Sequence, residues 1–169
     1  MQSGAITLRL AERGDSNAIA AMSRDLIEAG LGWTYRPERI RRLIGNRESN
    51  TLLACDRAGP VGFAVMQFSE ERAHLVLMAV QASHQRHGVG RQMLQWLIDS
   101  AIVAGMSSVH LELRAGNRSA IDFYRALGFS QTLLISGYYQ GREHAVRMIR
   151  VLRPPQVPVS DAWLSALRR

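Results

Sequence analysis

The sequence predicts an α/β domain, with one mixed central sheet and helices on both faces. Two patterns predict it. Short segments alternate apolar and polar residues, as half-buried strands do, and they interleave with segments whose apolar residues recur at helical spacing. The order of these segments makes the sheet mixed, and one segment is apolar almost throughout, as a strand covered on both faces is.

The elements follow in order. Ala5 to Glu12 alternates through Ile6, Leu8 and Leu10 and predicts a first strand. Asp15 stands at a helix N-cap position, Ala18, Ile19, Met22, Leu26 and Ile27 follow at helical spacing, and Gly30 is the stop. Pro37 opens a second helix with Ile40, Leu43 and Ile44. Thr51 to Asp56 and Val61 to Phe68 flank Arg57-Ala58-Gly59-Pro60, a hairpin whose turn Gly and Pro supply. His74 to Gln81 is the near-continuous apolar strand. After a Gly-containing loop, Val89, Met93, Leu94, Trp96, Leu97, Ala101 and Ala104 predict a long amphipathic helix ended by Gly105. Ser108 to Arg114 alternates again. Ala120, Ile121, Phe123, Tyr124 and Leu127 make a short helix stopped at Gly128, and two strands, Phe129 to Ser136 and His144 to Leu152, close the domain.

With 169 residues, the chain suits one domain over 1–152, followed by a Pro-rich linker and short stub over 153–169 that carries Trp163, Leu164 and Leu167. The single cysteine, Cys55, excludes an intrachain disulfide and a multi-Cys zinc site. No lysine occurs, which excludes P-loop, kinase-type and Schiff-base lysine chemistry; codon bias and function are both open as its origin. The net charge of +7 favours anionic partners, whether nucleic acid, lipid or a phosphorylated small molecule. The longest apolar run falls far short of a bilayer span, and the expected location is the cytoplasm.

The segment richest in chemistry is Gln85-Arg86-His87-Gly88-Val89-Gly90-Arg91, which runs from a buried strand into a helix. Glycines let the backbone approach a ligand, and a helix N-terminus offers free N–H groups and partial positive charge to phosphate. A plain structural turn accounts for the same residues. The spacing is neither a dinucleotide fingerprint nor a Walker loop. Further on come Asn117-Arg118-Ser119-Ala120-Ile121-Asp122-Phe123-Tyr124 and Leu127-Gly128-Phe129. The two segments, in this order with a strand between them, resemble the acetyl-CoA pyrophosphate loop and the second motif of the GCN5-related N-acetyltransferases (GNAT). The resemblance covers about Ala5 to Leu152. Within that family the stretch from Leu111 to Phe129, with Gly137-Tyr138-Tyr139 and Gly141-Arg142-Glu143, looks nearest to the ribosomal-protein-alanine N-acetyltransferases. Two departures stand out: His144 where that subgroup has an acid, and Gly30 to Arg36, which matches poorly beyond Trp33.

The resemblance implies a single GNAT-like domain that moves an acetyl group from acetyl-CoA to a primary amine in a ternary complex, with no metal. A protein N-terminal α-amine is the implied acceptor, and a polyamine, amino acid or antibiotic the alternative. A silent acyl-CoA sensor and a ribosome- or nucleic-acid-associated binding protein are the rivals from other classes; no aromatic-interleaved basic motif supports the last. A membrane partner is not expected, and a homodimer is open. The implied cofactor-binding residues are the backbone of Met78, Ala79 and Val80, the loop Arg86, His87, Gly88, Val89, Gly90 and Arg91, and Asn117. Glu112 is the implied proton acceptor and Tyr124 the implied donor to the leaving sulfur. Each has a plainer reading: Glu112 a surface carboxylate, Tyr124 a packed aromatic, Asn117 a helix N-cap, and 78–80 a core strand. Trp33 and Tyr35 are acceptor contacts or packing; Arg39, Arg41 and Arg42 a solvated helix face. His74, His110 and His144 read as ordinary strand residues, the latter two within reach of a pocket. His84 and His87 lack an obvious third ligand.

Overall fold

The computed structural model describes residues 4–153. The predicted linker beyond Arg153 and the stub with Trp163, Leu164 and Leu167 lie outside the described residues. Seven strands and four helices alternate as the periodicity predicts: β1 (Thr7–Leu10), α1 (Ser16–Met22), α2 (Pro37–Gly45), β2 (Ser49–Asp56), β3 (Gly59–Ser69), β4 (Arg72–Val80), α3 (Val89–Val103), β5 (Ser108–Arg114), α4 (Arg118–Ala126), β6 (Ser130–Tyr139) and β7 (Glu143–Val151). The sheet order is β1-β2-β3-β4-β5-β7-β6. Among the described residues only β4 and β5 pair in parallel, because α3 carries the chain back across one face between them.

Two cores lie on opposite faces. Leu94, Leu97 and Ile98 of α3 and Tyr124 of α4 pack on Leu52, Ala64, Leu75 and Leu111; Ile19 and Ala20 of α1 and Ile40 of α2 pack on Leu53, Phe63 and Leu77. Full burial of each such Leu or Ile is worth about 1.5–3 kcal/mol. The apolar β4 feeds both cores, as its composition predicts.

Two local departures from the sequence reading shape the centre. In the β3–β4 ladder Val65 faces Leu77 and Met66 faces Leu75, so Val76 is an extra residue on β4. A bulge of this kind bends its strand and raises the local twist. Parallel pairing with β5 accordingly runs only from Arg72↔Ser108 to Leu75↔Leu111. Beyond that point β4 and β5 diverge. The second departure is in the first helix, expected to run on to Gly30. It widens into a π-turn over Ser23–Ile27, closed by the Glu28 N–H on the Ser23 carbonyl at 2.8 Å. The wider turn leaves Leu26 exposed rather than in the core. Asp15 holds the N-cap position, but its carboxylate accepts from Arg9 and from the Glu12 N–H instead of capping α1.

Candidate active site

The divergence of β4 and β5 opens a cavity of about 710 Å³. Leu75 to Met78 of β4 and Leu111 to Arg114 of β5 form its walls. Gly116, Asn117, Ala120 and Tyr124 close one part, and the α1–α2 connection with Tyr138, Tyr139 and Gln140 closes another.

Glu112 lies on the β5 face opposite Leu111 and Leu113, as alternation predicts. Its side chain is only 9% exposed. His74 Nε2 donates to Glu112 Oε2 at 2.6 Å, and Arg147 Nε donates to Glu112 Oε1 at 3.0 Å. The His74 hydrogen bond, aided by Arg147 and opposed by burial, holds the Glu112 carboxyl below the usual carboxylate range. His74 is therefore no ordinary strand residue. Parallel pairing of His74 with His110 puts its ring beside Glu112, and that register has no signature in the sequence. Arg147 arrives from β7, paired opposite Glu112. His110 bonds its own neighbour Ser108 Oγ, and His144 Nδ1 accepts from the Gly137 N–H.

Tyr124 is buried on α4 between Phe123 and Phe129, with ring centroids 5.1 and 5.6 Å away. Among the described residues its hydroxyl has no hydrogen-bond partner, and the residue lines the cavity. Burial, with the nearby Tyr139, pushes its phenol well above the ordinary value, so it stays protonated. Asn117 does cap α4: its Oδ1 accepts from the Ala120 N–H at 3.1 Å. It also lines the cavity.

Of the remaining predicted cofactor residues, Met78 lines the cavity, while Ala79 and Val80 continue along β4 past it. Arg86, His87, Gly88, Val89, Gly90 and Arg91 are not part of the cavity wall; they form the loop and first turn of α3. Arg86 and Gly88 are both left-handed, with φ of 65° and 81°. Left-handed residues leading into a helix turn successive N–H groups to one side, a concavity that fits an anion. No side chain caps α3, and a Cβ on Gly88 would meet nothing within 4 Å. The loop is thus open at Gly88. Gly90 is the opposite case: a Cβ there would sit 3.3 Å from Phe123 Cζ and 3.4 Å from Met78 Cε, packing the loop onto α4 and β4. Free N–H groups, Arg86 and Arg91 fit a pyrophosphate by charge and donor type.

The cavity wall on the α1–α2 side is organised by residues the sequence reading passed over. Buried Glu28 accepts from the N–H groups of Thr34 and Tyr35 and from Ser23 Oγ. Arg114 donates to the carbonyls of Ile27 and Ala29 at 2.8 and 2.7 Å and to Glu143 at 3.0 Å. The Gly32 N–H reaches Gln140 Oε1, tying the α1–α2 connection to the β6–β7 turn. Tyr35 lines the cavity; Trp33 packs against the α1–α2 core instead. Arg39 stacks 4.2 Å over the Tyr35 ring and lines the cavity, apart from the exposed Arg41 and Arg42. His84 pairs with Asp56 at 3.0 Å, and among the described residues no three His, Cys, Asp or Glu side chains converge as a metal site would need. No helix among them is long and apolar enough to cross a membrane.

The sequence profile of the acetyltransferase (GNAT) family matches residues 20–129, from within α1 to just past α4. The chain belongs to this family. Its GNAT fold is close to that of two solved structures, Ard1 from Thermoplasma volcanium and the ribosomal-protein-S18-alanine N-acetyltransferase from Escherichia coli. Each has a TM-score of 0.79; identities are 27% and 25%, with 89% and 92% of this chain and 99% of each of those chains covered. The [ribosomal protein bS18]-alanine N-acetyltransferase of Escherichia coli (strain K12) is 39% identical over 89 residues, 51% of this chain. This GNAT chain spans 60% of the length of that curated relative.

Proposed function

We propose that this chain is an acetyl-CoA-dependent N-acetyltransferase acting on a protein N-terminal α-amine. The observation that carries the reading is the cavity itself, where diverging β4 and β5 leave room for an extended ligand and Glu112 and Tyr124 line the same space. Acetyl-CoA supplies the thioester. Arg86, Arg91 and the N–H groups at the start of α3 hold its phosphates. Met78 to Val80, paired with β3 but with no β5 partner on the other edge, offers backbone partners to its pantetheine arm, with Asn117 alongside. On the other side of the cavity, the α1–α2 connection and Tyr138 and Tyr139 receive the acceptor. Ionised Glu112 supplies the negative charge that favours loss of the amine proton, and protonated Tyr124 gives its proton to the departing sulfur. The N-terminal-amine acceptor is supported by the Escherichia coli relative, matched in sequence and in structure, whose name states an alanine N-acetyltransferase.

The test is a turnover screen with acetyl-CoA, read as free-thiol release. Peptides with a free α-amine are expected to drive release, and the same peptides with a blocked N-terminus are not. Release with polyamines or amino acids alone would move the acceptor to small molecules. Acetyl-CoA binding without release for any amine would make the protein a sensor. Glu112→Gln is expected to lower turnover about 10²-fold near neutral pH, with partial recovery as more amine loses its proton unaided.

A further inference from the structure

We propose that His74 is the immediate proton acceptor of the transfer, with Glu112 acting through it as a carboxylate–imidazole dyad. The inference rests on the reading of the cavity as an acetyl-transfer site. Three observations carry it. First, both oxygens of Glu112 are engaged, Oε2 by His74 and Oε1 by Arg147. A carboxylate held ionised in this way is a poor base, as its lowered pKa also indicates. Second, access favours the ring. Both residues line the cavity, but the His74 side chain is 42% exposed and that of Glu112 only 9%. Third, an ionised carboxylate only accepts, so Nε2 carries the hydrogen in their contact. In the neutral ring Nδ1 then holds the lone pair, and among the described residues Nδ1 has no partner. A carboxylate that orients an imidazole by one nitrogen while the other takes a proton is a proven arrangement for a general base.

The step balances. The amine nitrogen bonds to the thioester carbonyl carbon and the carbon–sulfur bond breaks. The amine proton passes to His74 Nδ1, and the departing thiolate takes the Tyr124 proton. Ring and phenol then return to their starting states through solvent, leaving amide and thiol. Glu112 of β5 is bonded to the ring, His110 of β5 is its paired neighbour, Arg147 of β7 holds the other Glu112 oxygen, Arg72 lies two residues back on β4, and Tyr138 of β6 lines the same cavity; β3 places the neutral Gln67 opposite His74. Glu28 and Arg39 line the same cavity from the α1–α2 side. His110 does not compete for the role, since its Nε2 is bonded to Ser108 Oγ and it is absent from the cavity wall.

The experiment measures kcat/KM against pH between about 5 and 8, the range in which an imidazole base loses its function on protonation. The wild type is expected to show an acidic limb there. His74→Gln keeps a donor toward Glu112 but removes the base; it is expected to abolish the limb and lower the plateau about 10²-fold, with acetyl-CoA affinity unchanged. His110→Asn is expected to keep the limb. The double variant of His74→Gln and Glu112→Gln is expected to be no slower than the worse single one, as for residues that act as a unit. Long-range nitrogen–proton spectra of the wild type supply a readout apart from turnover, with the Nε2–H tautomer expected at His74. A His74→Gln enzyme of wild-type rate and limb, or an Nδ1–H tautomer, overturns the assignment and leaves the acetyl-transfer reading standing. A wild type that releases no thiol with any amine overturns both.

Discussion

Arg147 Nε lies 3.0 Å from Glu112 Oε1, on the oxygen that His74 leaves untaken, so one nearly buried carboxylate is held from two strands at once. The contact lowers the Glu112 pKa, after the larger effect of His74. A depressed carboxyl pKa contributes stability that is full above the ordinary value and is lost as pH falls through the folded one. Arg147→Gln is therefore expected to cost about 1 kcal/mol at pH 7, a modest figure because the arginine is 38% exposed and solvent screens it. The difference should shrink as pH drops below the ordinary carboxyl value of 4.5. Urea denaturation at neutral and acid pH measures it; an equal difference at both would mean that Arg147 acts by packing.

Tyr124→Phe removes an oxygen that bonds no described residue, so no buried partner is stranded. Stability should change by less than about 0.5 kcal/mol. Turnover should fall about 10²-fold, the usual range for a general acid, with acetyl-CoA affinity little altered. Because its phenol stays protonated, Tyr124 should add no limb to the rate profile up to pH 9. A Phe variant with wild-type turnover across that range would make Tyr124 a core aromatic only.

Gly88→Val places a branched side chain at φ 81°, a conformation costing roughly 1–2 kcal/mol for a non-glycine residue. It also fills the open side of the loop. Acetyl-CoA affinity is expected to fall at least tenfold, about 1.4 kcal/mol, in calorimetry on a folded variant. Unaltered affinity would remove the phosphate assignment from this loop.

Arg114→Gln releases the carbonyls of Ile27 and Ala29 and the Glu143 carboxylate together. The α1–α2 connection borders the side of the cavity proposed to receive the acceptor, so KM for the acceptor should rise about tenfold while acetyl-CoA affinity holds. Equal losses for both substrates would point to general destabilisation instead.

Deleting residues 154–169 is expected to spare turnover, since the described fold completes its sheet at Val151 and Arg153 makes the final contact, to the Gly105 carbonyl. Loss of the circular dichroism signal on truncation would show that the domain needs its tail.

The sequence by itself determined what depends on neighbours a few residues apart. The order of all eleven elements, the Ser108–Arg114 strand to the residue, the Pro37 start of α2 and the Asn117 cap follow from side-chain period, proline and capping chemistry. So did the placing of Glu112 opposite Leu111 and Leu113, because alternation alone assigns a strand face. Only the tertiary structure decided what depends on register. The bulge at Val76 separates β4 from β5 and opens the cavity, yet nothing in the apolar run Leu75 to Val80 marks which residue is extra. His74 and Arg147 meet Glu112 across sequence separations of 38 and 35 residues. Strand pairing is fixed by packing summed over two whole cores, and so the groups that set the charge and basicity of the site are brought together by contacts that no local pattern encodes.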